Sequence, residues 1–176
     1  MTKKRVIIPI ITFIITLMLC LLVINKVQAE DQSTNITMST NSFKSYMNYR
    51  AIKNKTSAQY KLQQFCVTDT DGFRRCANRY VVAVGSGVGG QVGDCIDLIL
   101  ENGQIICCVI GDYKGDKHTD AANLTGKNGC CAEFIVDTFV LRKDIKLRGN
   151  VGIAYPGWDS SVTIIRRYNI NCLGGM

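Results

Sequence analysis

The chain has 176 residues, a formal net charge of +7 and nine cysteines. This length suits one ordinary domain with accessory segments, because domains usually take roughly 100–200 residues. Four basic and no acidic residues lie in the first 29 positions, so the rest of the chain is only mildly basic. Its charges of opposite sign are interspersed rather than gathered into Lys/Arg stripes, which argues against a nucleic-acid partner.

The first 29 residues are predicted to be an export segment. Basic residues at positions 3–5 precede an apolar run at 6–24, and Val27-Gln28-Ala29 fits a cleavage site. The run is longer than a usual signal-peptide core and long enough to span a bilayer. Residues 1–29 are therefore either a cleaved signal peptide or an anchor that contacts the membrane through residues 6–24. The rest of the chain is expected to be secreted or held on the outer face of a bacterial cytoplasmic membrane.

Residues 30–56 are rich in Ser, Thr, Asn and Lys and hold few large apolar side chains. Such a composition buries too little surface to offset the entropy of ordering, so it predicts a flexible polar linker. A Cys-rich domain is expected over residues 57–176.

Eight cysteines lie outside the export segment, an even number that suggests disulfides in an exported domain. Cys66 and Cys76 flank a turn-rich stretch typical of a hairpin, so they are the first candidate pair. The adjacent pairs 107–108 and 130–131 are expected to point to opposite faces of their strands. The spacing lacks the CxxC knuckles of zinc sites, and His118 is the only histidine, so no metal or other cofactor is predicted.

Strand signals begin at 61–65 and 73–86, where β-branched residues and alternation favour β structure, most clearly at Tyr80–Val84. The glycine-rich residues 85–90 precede another strand-like run, at 94–100, rather than an amphipathic helix. They are therefore interpreted as a turn and not as a nucleotide-binding loop.

Asn102-Gly103 predicts a hairpin that pairs residues 94–101 with 104–110. Residues 132–137 and 161–168 supply two more strand-like runs. No stretch after the linker shows a long helical period bounded by caps. Short strands about every dozen residues indicate a mainly β domain, either a small barrel or a sandwich.

Two acidic groups carry the strongest functional signal. Residues 111–120 follow an apolar strand and hold three acids and the only histidine. Alternation puts Glu133, Ile135 and Asp137 on one face of the next strand. If the two strands pack in one barrel, Asp112 and Glu133 share a groove and form the carboxyl pair that glycosidic cleavage needs. A solvated acidic loop and a divalent-cation site are the alternatives, although the full calcium-loop pattern is absent.

The order of these parts resembles the double-psi β-barrel group, which includes the three-aspartate domain, RlpA-like proteins, lytic transglycosylase A and expansins. The resemblance covers about residues 78–168. It rests on the strand at 80–86, the Val92-Gly93-Asp94 turn, Asp112, and Asn128-Gly129 followed by the strand at 133–137. It implies a small six-stranded barrel that acts on, or binds, peptidoglycan, with Asp112 and Glu133 at the positions of the family's acids.

The leading hypothesis is a peptidoglycan-cleaving domain, lytic transglycosylase-like or a glycoside hydrolase, with Asp112 and Glu133 as the catalytic pair. The groups expected to bind substrate are Tyr113, Asp116, His118, Asp120, Asp137 and Trp158. One alternative is a non-catalytic barrel that binds cell-wall or other surface polysaccharide through aromatic side chains such as Tyr155 and Trp158. Another is a structural part of an extracytoplasmic apparatus, stapled by its cysteines.

Overall fold

The computed structural model describes residues 14–19 and 33–172. The chain divides into two compact units, residues 1–33 and 34–176. In the first, residues 14–19 are helical and their side chains are exposed. The described part of the chain contains no helix with the length and apolar character of a membrane span. The remaining residues of the predicted export segment 1–29, and of its apolar run 6–24, lie outside the described residues.

Nine strands form one mixed sheet in the order β1-β9-β6-β7-β5-β4-β3, with β8 beside β5 and β2 beside β8. The strands are β1 Ser33–Thr37, β2 Tyr46–Asn48, β3 Val67–Thr68, β4 Arg74–Cys76, β5 Arg79–Gly85, β6 Asp94–Leu100, β7 Ile105–Lys114, β8 Ala132–Val136 and β9 Val162–Asn171. The two helices after residue 33 are α1 Ala58–Phe65 and α2 Lys143–Arg148.

The mainly β prediction is confirmed, whereas the expectation of six strands is wrong. All five predicted runs from Tyr80 onward form strands, namely β5, β6, β7, β8 and β9. The additional strands are short or N-terminal: β3 and β4 span two and three residues, and β1 and β2 precede residue 57. Such short edges carry too few side chains for alternation to mark them.

Part of the range 30–56, predicted to be a flexible linker, contributes β1 and β2 to the sheet. β2 pairs in parallel with β8, with Tyr46 opposite Phe134. Lys44 is only 2% exposed, and its Nζ donates to the carbonyls of Trp158 and Ser160, both at 2.7 Å. The segment is ordered through backbone pairing, polar contacts and the packing of a few apolar side chains such as Met38 and Tyr46, which its overall composition does not reveal.

Residues 61–65, predicted to be a strand, belong to helix α1. The Oγ of Ser57 caps the helix by accepting from the Tyr60 backbone N–H at 3.2 Å. Leu62 is fully buried on the side that faces the sheet, where it packs with Val81 and Ile135. At eight residues this helix is too short to show a clear helical period, so the sequence pattern was ambiguous.

The predicted hairpins are present. β6 and β7 pair around Asn102-Gly103, with Ile99 opposite Ile105 and Gly103 at a positive φ of 84°. β3 and β4 form the hairpin flanked by Cys66 and Cys76.

The sheet covers two apolar clusters. The larger one takes side chains from β5 to β9 and includes Phe73, and the smaller one lies under α1 around Val81 and Val109.

Candidate functional site

The two candidate catalytic acids lie on either side of one small residue. Ala83 of β5 pairs with Asp112 of β7 on one side and with Glu133 of β8 on the other. Partners in register on neighbouring strands project from the same face of a sheet. Adjacent strands lie about 4.8 Å apart, so the Cα atoms of the two acids are roughly 10 Å apart across Ala83. Ala83 itself is buried, at 2% exposed.

A β-bulge creates this alignment. The pairing of β5 with β7 shifts between Val82 and Ala83, where Gly111 is the extra residue and Asp112 comes opposite Ala83. A Cβ at Gly111 would lie 2.2 Å from Cγ1 of Val81 and 2.9 Å from Cδ1 of Ile135. Only glycine fits that space, so the glycine before Asp112 sets the position of the carboxyl group.

The Asp112 carboxylate faces helix α1. Its Oδ1 accepts from the Tyr113 backbone N–H at 2.9 Å and from Nε2 of Gln59 at 3.3 Å. The residue is half-buried. Helix α1 therefore limits approach to Asp112 from one side.

Glu133 is held by a serine and a lysine. Its Oε1 accepts from Oγ of Ser45 at 3.0 Å and lies 3.9 Å from Nζ of Lys114. The Lys114 side chain is only 6% exposed, and its Nζ also donates to the Cys130 carbonyl at 3.0 Å. The Glu133 side chain remains 30% exposed, so this carboxylate is both fixed in place and open to a ligand.

Glu133 lines a cavity of about 470 Å³, a volume in the range of small-molecule sites. The other lining residues are Tyr113, Lys114, Gly115, His118, Gly126, Lys127 and Asn128. The Oη of Tyr113 is buried and has no hydrogen-bond partner among the described residues. Burial raises the pKa of Tyr113, and the nearby Asp94 charge adds to that shift, so its hydroxyl stays protonated at neutral pH. The ring packs against the larger apolar cluster, on the face of β7 opposite to Lys114.

Asp116 and Asp120 stabilise the loop above the cavity rather than line it. Asp116 accepts from Oγ of Ser86 at 2.7 Å. Asp120 accepts from the backbone N–H groups of Leu124 and Thr125, at 2.9 and 3.2 Å. A Cβ at Gly85 would lie only 1.9 Å from the Asn123 carbonyl oxygen. The glycine-rich turn therefore gives space for this loop to cross the end of β5.

Asp137 and Trp158 lie away from the cavity. Asp137 forms a two-pronged ion pair with Arg50, which lowers the pKa of the Asp137 carboxyl group. Trp158 is 9% exposed and packs against Phe73, Tyr80, Phe134 and Tyr155, with ring centroids 4.7–6.3 Å away. Its ring therefore covers one end of the larger apolar cluster.

The cysteines fall into separate groups. The register of β3 and β4 puts Cys66 directly opposite Cys76, and the two thiols are in hydrogen-bonding contact. Desolvation raises the pKa of Cys66 to about 12. Cys95 and Cys172 form a second contact pair, in which the hydrogen bond from Cys172 lowers the pKa of Cys95 to about 7. Cys108, Cys130 and Cys131 are buried, and Cys107 is exposed.

Among the predicted site residues, Tyr113, His118 and Glu133 line one cavity. Asp112 does not line it and lies two strands away from Glu133, on the other side of Ala83. Four further residues that line the cavity or contact Glu133 were not predicted as site residues: Ser45, Lys114, Lys127 and Asn128. Alternation along β7 identifies Lys114, which lies two residues from Asp112 on the same face. Nothing in the sequence marks Ser45, because its contact with Glu133 arises from the pairing of β2 with β8.

Comparison of the chain with protein-family models, with curated proteins and with solved structures finds no match. Within residues 14–19 and 33–172, no three His, Cys, Asp or Glu side chains are grouped so that they could hold a metal ion. The features of the described residues that bear on function are therefore the Asp112 and Glu133 carboxylates and the cavity that Glu133 lines.

Proposed function

We propose that this chain is an exported bacterial protein that cleaves glycosidic bonds in peptidoglycan. The observation that carries the proposal is the alignment of Asp112 and Glu133 on either side of Ala83, beside a cavity that Glu133 lines. Such cleavage uses two carboxyl groups on either side of the scissile bond, one to protonate the leaving oxygen and one to assist the attacking oxygen.

Glu133 is the proton donor in this mechanism, because it is the acid that reaches the cavity. It gives its proton to the glycosidic oxygen as the bond from that oxygen to the anomeric carbon breaks. Asp112 takes the proton of the attacking hydroxyl group, which belongs to water in hydrolysis or to the sugar itself in lytic transglycosylation. Because about two strand spacings separate their Cα atoms, the two carboxyl groups would act from opposite sides of the scissile bond.

The other cavity residues suit a glycan that carries peptide stems. The ammonium groups of Lys114 and Lys127 complement carboxylates of the substrate, while Asn128 offers hydrogen bonds to sugar hydroxyl groups. His118 lies at the exposed rim.

A double-psi β-barrel is the fold that we propose for this domain. Two observations support it: β5 pairs in parallel with β7 and antiparallel with β8, and side chains of β5 to β9 share one core. The bulge before Asp112 provides the local bend that a closing sheet needs.

A second candidate function is non-catalytic binding of the cell wall. It is favoured by the hydrogen bonds that both carboxylates already accept, Asp112 from Gln59 and Glu133 from Ser45. In this role the cavity would bind the glycan, and the acids would serve as hydrogen-bond acceptors.

The test is incubation of the full-length chain with isolated peptidoglycan, followed by mass spectrometry of the released fragments. Parent protein, Asp112→Asn and Glu133→Gln are compared with Glu101→Gln, which removes an exposed carboxylate in the β6–β7 turn. We expect fragments from the parent and the control, and a loss of at least about a hundredfold in rate for Glu133→Gln. Anhydro ends indicate transglycosylation, and reducing ends indicate hydrolysis.

Absence of fragments from the parent protein would overturn the proposal. Co-sedimentation with the same peptidoglycan then examines the binding alternative. Sedimentation of the parent without cleavage, reduced by Lys127→Ala and unchanged by Glu101→Gln, is the result that supports a binding module.

A further inference from the structure

A second cavity, of about 620 Å³, lies beside helix α1 and is separate from the proposed catalytic cavity. Among the residues that the structure describes, it is lined by four cationic side chains, Arg50, Lys53, Lys55 and Arg74, and by no acidic residue. The rings of Tyr49 and Tyr60 and the side chain of Gln63 form other parts of its wall. A cavity with this lining has a clear preference for negative charge.

Three of the four cations lack a carboxylate partner within the described part of the chain. Arg50 pairs with Asp137, whereas Lys53, Lys55 and Arg74 form no ion pair there. Lys53 and Lys55 are exposed, so their ammonium groups can turn toward a ligand. A net positive charge therefore remains at the cavity after the protein's own ion pairs have been counted.

Arg74 is fixed at the base of the cavity. It is 8% exposed, and its guanidinium group donates to Oγ1 of Thr68 and to the carbonyls of Gln63 and Cys66, at 2.6–2.8 Å. The guanidinium carbon lies 4.4 Å from the centre of the Tyr49 ring. Arg74 is thus held by hydrogen bonds and by a cation–π contact with Tyr49, but none of these partners carries a negative charge that would neutralise the guanidinium group.

Gln63 supplies an unpartnered donor in the same wall. It is 4% exposed, and its Oε1 accepts from Nε of Arg74 at 3.1 Å, which fixes the orientation of the amide. Its Nε2 is buried and has no hydrogen-bond partner among the described residues. Leaving such a donor unpaired costs about 1–3 kcal/mol. A bound acceptor oxygen would remove that cost.

We propose that this cavity binds a phosphate group, with Lys53, Lys55 and the Gln63 amide as its ligands and Arg74 as the fixed positive charge behind them. Two mobile ammonium groups and one amide donor can approach a tetrahedral oxyanion from different sides, whereas a carboxylate offers only two oxygens in one plane. The tyrosine rings provide an apolar wall for the carbon skeleton of a phosphate ester. The site is independent of the carboxylates that the proposed cleavage uses.

The test is calorimetric titration of the full-length chain with inorganic phosphate, glycerol phosphate and poly(glycerol phosphate), at constant ionic strength and with acetate as the carboxylate comparison. We expect phosphate to bind and acetate to bind at least about tenfold more weakly. The double variant Lys53→Ala/Lys55→Ala should weaken phosphate binding at least about tenfold. Gln63→Glu, which keeps the acceptor for Arg74 and removes the donor, should also weaken it.

The matched control is Lys143→Ala/Lys146→Ala, which removes two exposed lysines from α2 and should leave the affinity unchanged. Equal weakening by both double variants would overturn the proposal, because it would indicate a general charge effect. Failure of the parent to bind phosphate, or equal binding of acetate, would also overturn it. Tighter binding of the polymer than of glycerol phosphate, per phosphate group, identifies a polymer as the source, and equal binding identifies a small ester.

Discussion

The two cavities differ in what builds them and in the charge that they present. The proposed catalytic cavity is set by strands. The register around Ala83 and the bulge at Gly111 place Asp112 and Glu133, of which Glu133 lines the cavity, and Lys114 lies on the same face. The basic cavity is set by the segment around residues 49–55, by α1 and by Arg74. Each holds one buried polar atom without a partner among the described residues, Tyr113 Oη in the first and Gln63 Nε2 in the second. Rigid strands suit chemistry that needs exact placement, whereas flexible lysines suit recognition of charge.

The largest effect is expected from a core substitution that destabilises the whole fold and with it both cavities. Phe73 is fully buried and contacts the rings of Tyr80, Phe134, Tyr155 and Trp158. Phe73→Ala should lower the free energy of unfolding by about 3–5 kcal/mol, because it leaves a cavity in the core that supports β5 and β8. Urea unfolding measures this loss. Phe139→Ala, at a side chain that is 76% exposed, is the control and should have little effect.

A substitution in the first cavity should affect peptidoglycan cleavage and leave phosphate binding unchanged. Glu133→Gln is expected to reduce peptidoglycan cleavage at least about a hundredfold, because the amide has no proton to donate at neutral pH. Phosphate affinity should not change, since Glu133 does not line the basic cavity. Measuring both activities on one preparation checks the separation. A parallel loss of phosphate binding would mean that the variant is misfolded.

Oxidation should strengthen the framework beneath the basic cavity, where Cys66 lines the wall. With oxidised glutathione we expect a Cys66–Cys76 bond, as the sequence predicts, and a Cys95–Cys172 bond. In the second reaction the Cys95 thiolate attacks the glutathione disulfide, Cys172 then displaces the attached glutathione, and two reduced glutathione molecules are released. Closing the short hairpin loop between Cys66 and Cys76 should add about 2–3 kcal/mol.

Peptide mapping without reduction identifies these bonds, and unfolding of Cys66→Ser/Cys76→Ser under the same conditions measures the contribution of the Cys66–Cys76 bond. Exposed Cys107 should remain open to alkylation in the oxidised parent protein. Recovery of mainly Cys66–Cys95 or Cys76–Cys172 peptides would contradict the pairing.

The smallest effect concerns the ion pair between Arg50 and Asp137, at the edge of the basic cavity. Arg50 lowers the pKa of Asp137 in the folded chain, so the pair stabilises the fold above the ordinary aspartate pKa of about 3.9. This stabilisation is lost as the pH falls through the lowered pKa. The Tm of the parent should exceed that of Asp137→Asn at neutral pH, and the difference should shrink in acid. A difference that does not depend on pH would show that the carboxylate charge contributes nothing.

The sequence by itself determined the parts of the fold that depend on neighbours along the chain. Asn102-Gly103 specified a hairpin because that dipeptide adopts the positive φ angles of a tight turn. The β-branched run at Tyr80–Val84 specified β5, and the turn after Cys66 specified the hairpin that puts Cys76 opposite it. The glycine-rich stretch leads into the strand β6, as predicted, and not into an α-helix.

Only the tertiary structure decided which distant residues meet. Both acids were visible in the sequence, but their common alignment at Ala83 depends on one bulge and on strand pairs separated by many residues. Ser45 reaches Glu133 because β2 pairs with β8 across almost ninety residues. Lys53, Lys55 and Gln63 form one cavity because α1 packs on the sheet beside them. Patterns of alternation and turns are local, whereas register and packing are set by the whole core, and so the sequence identified the chemical groups but not their arrangement.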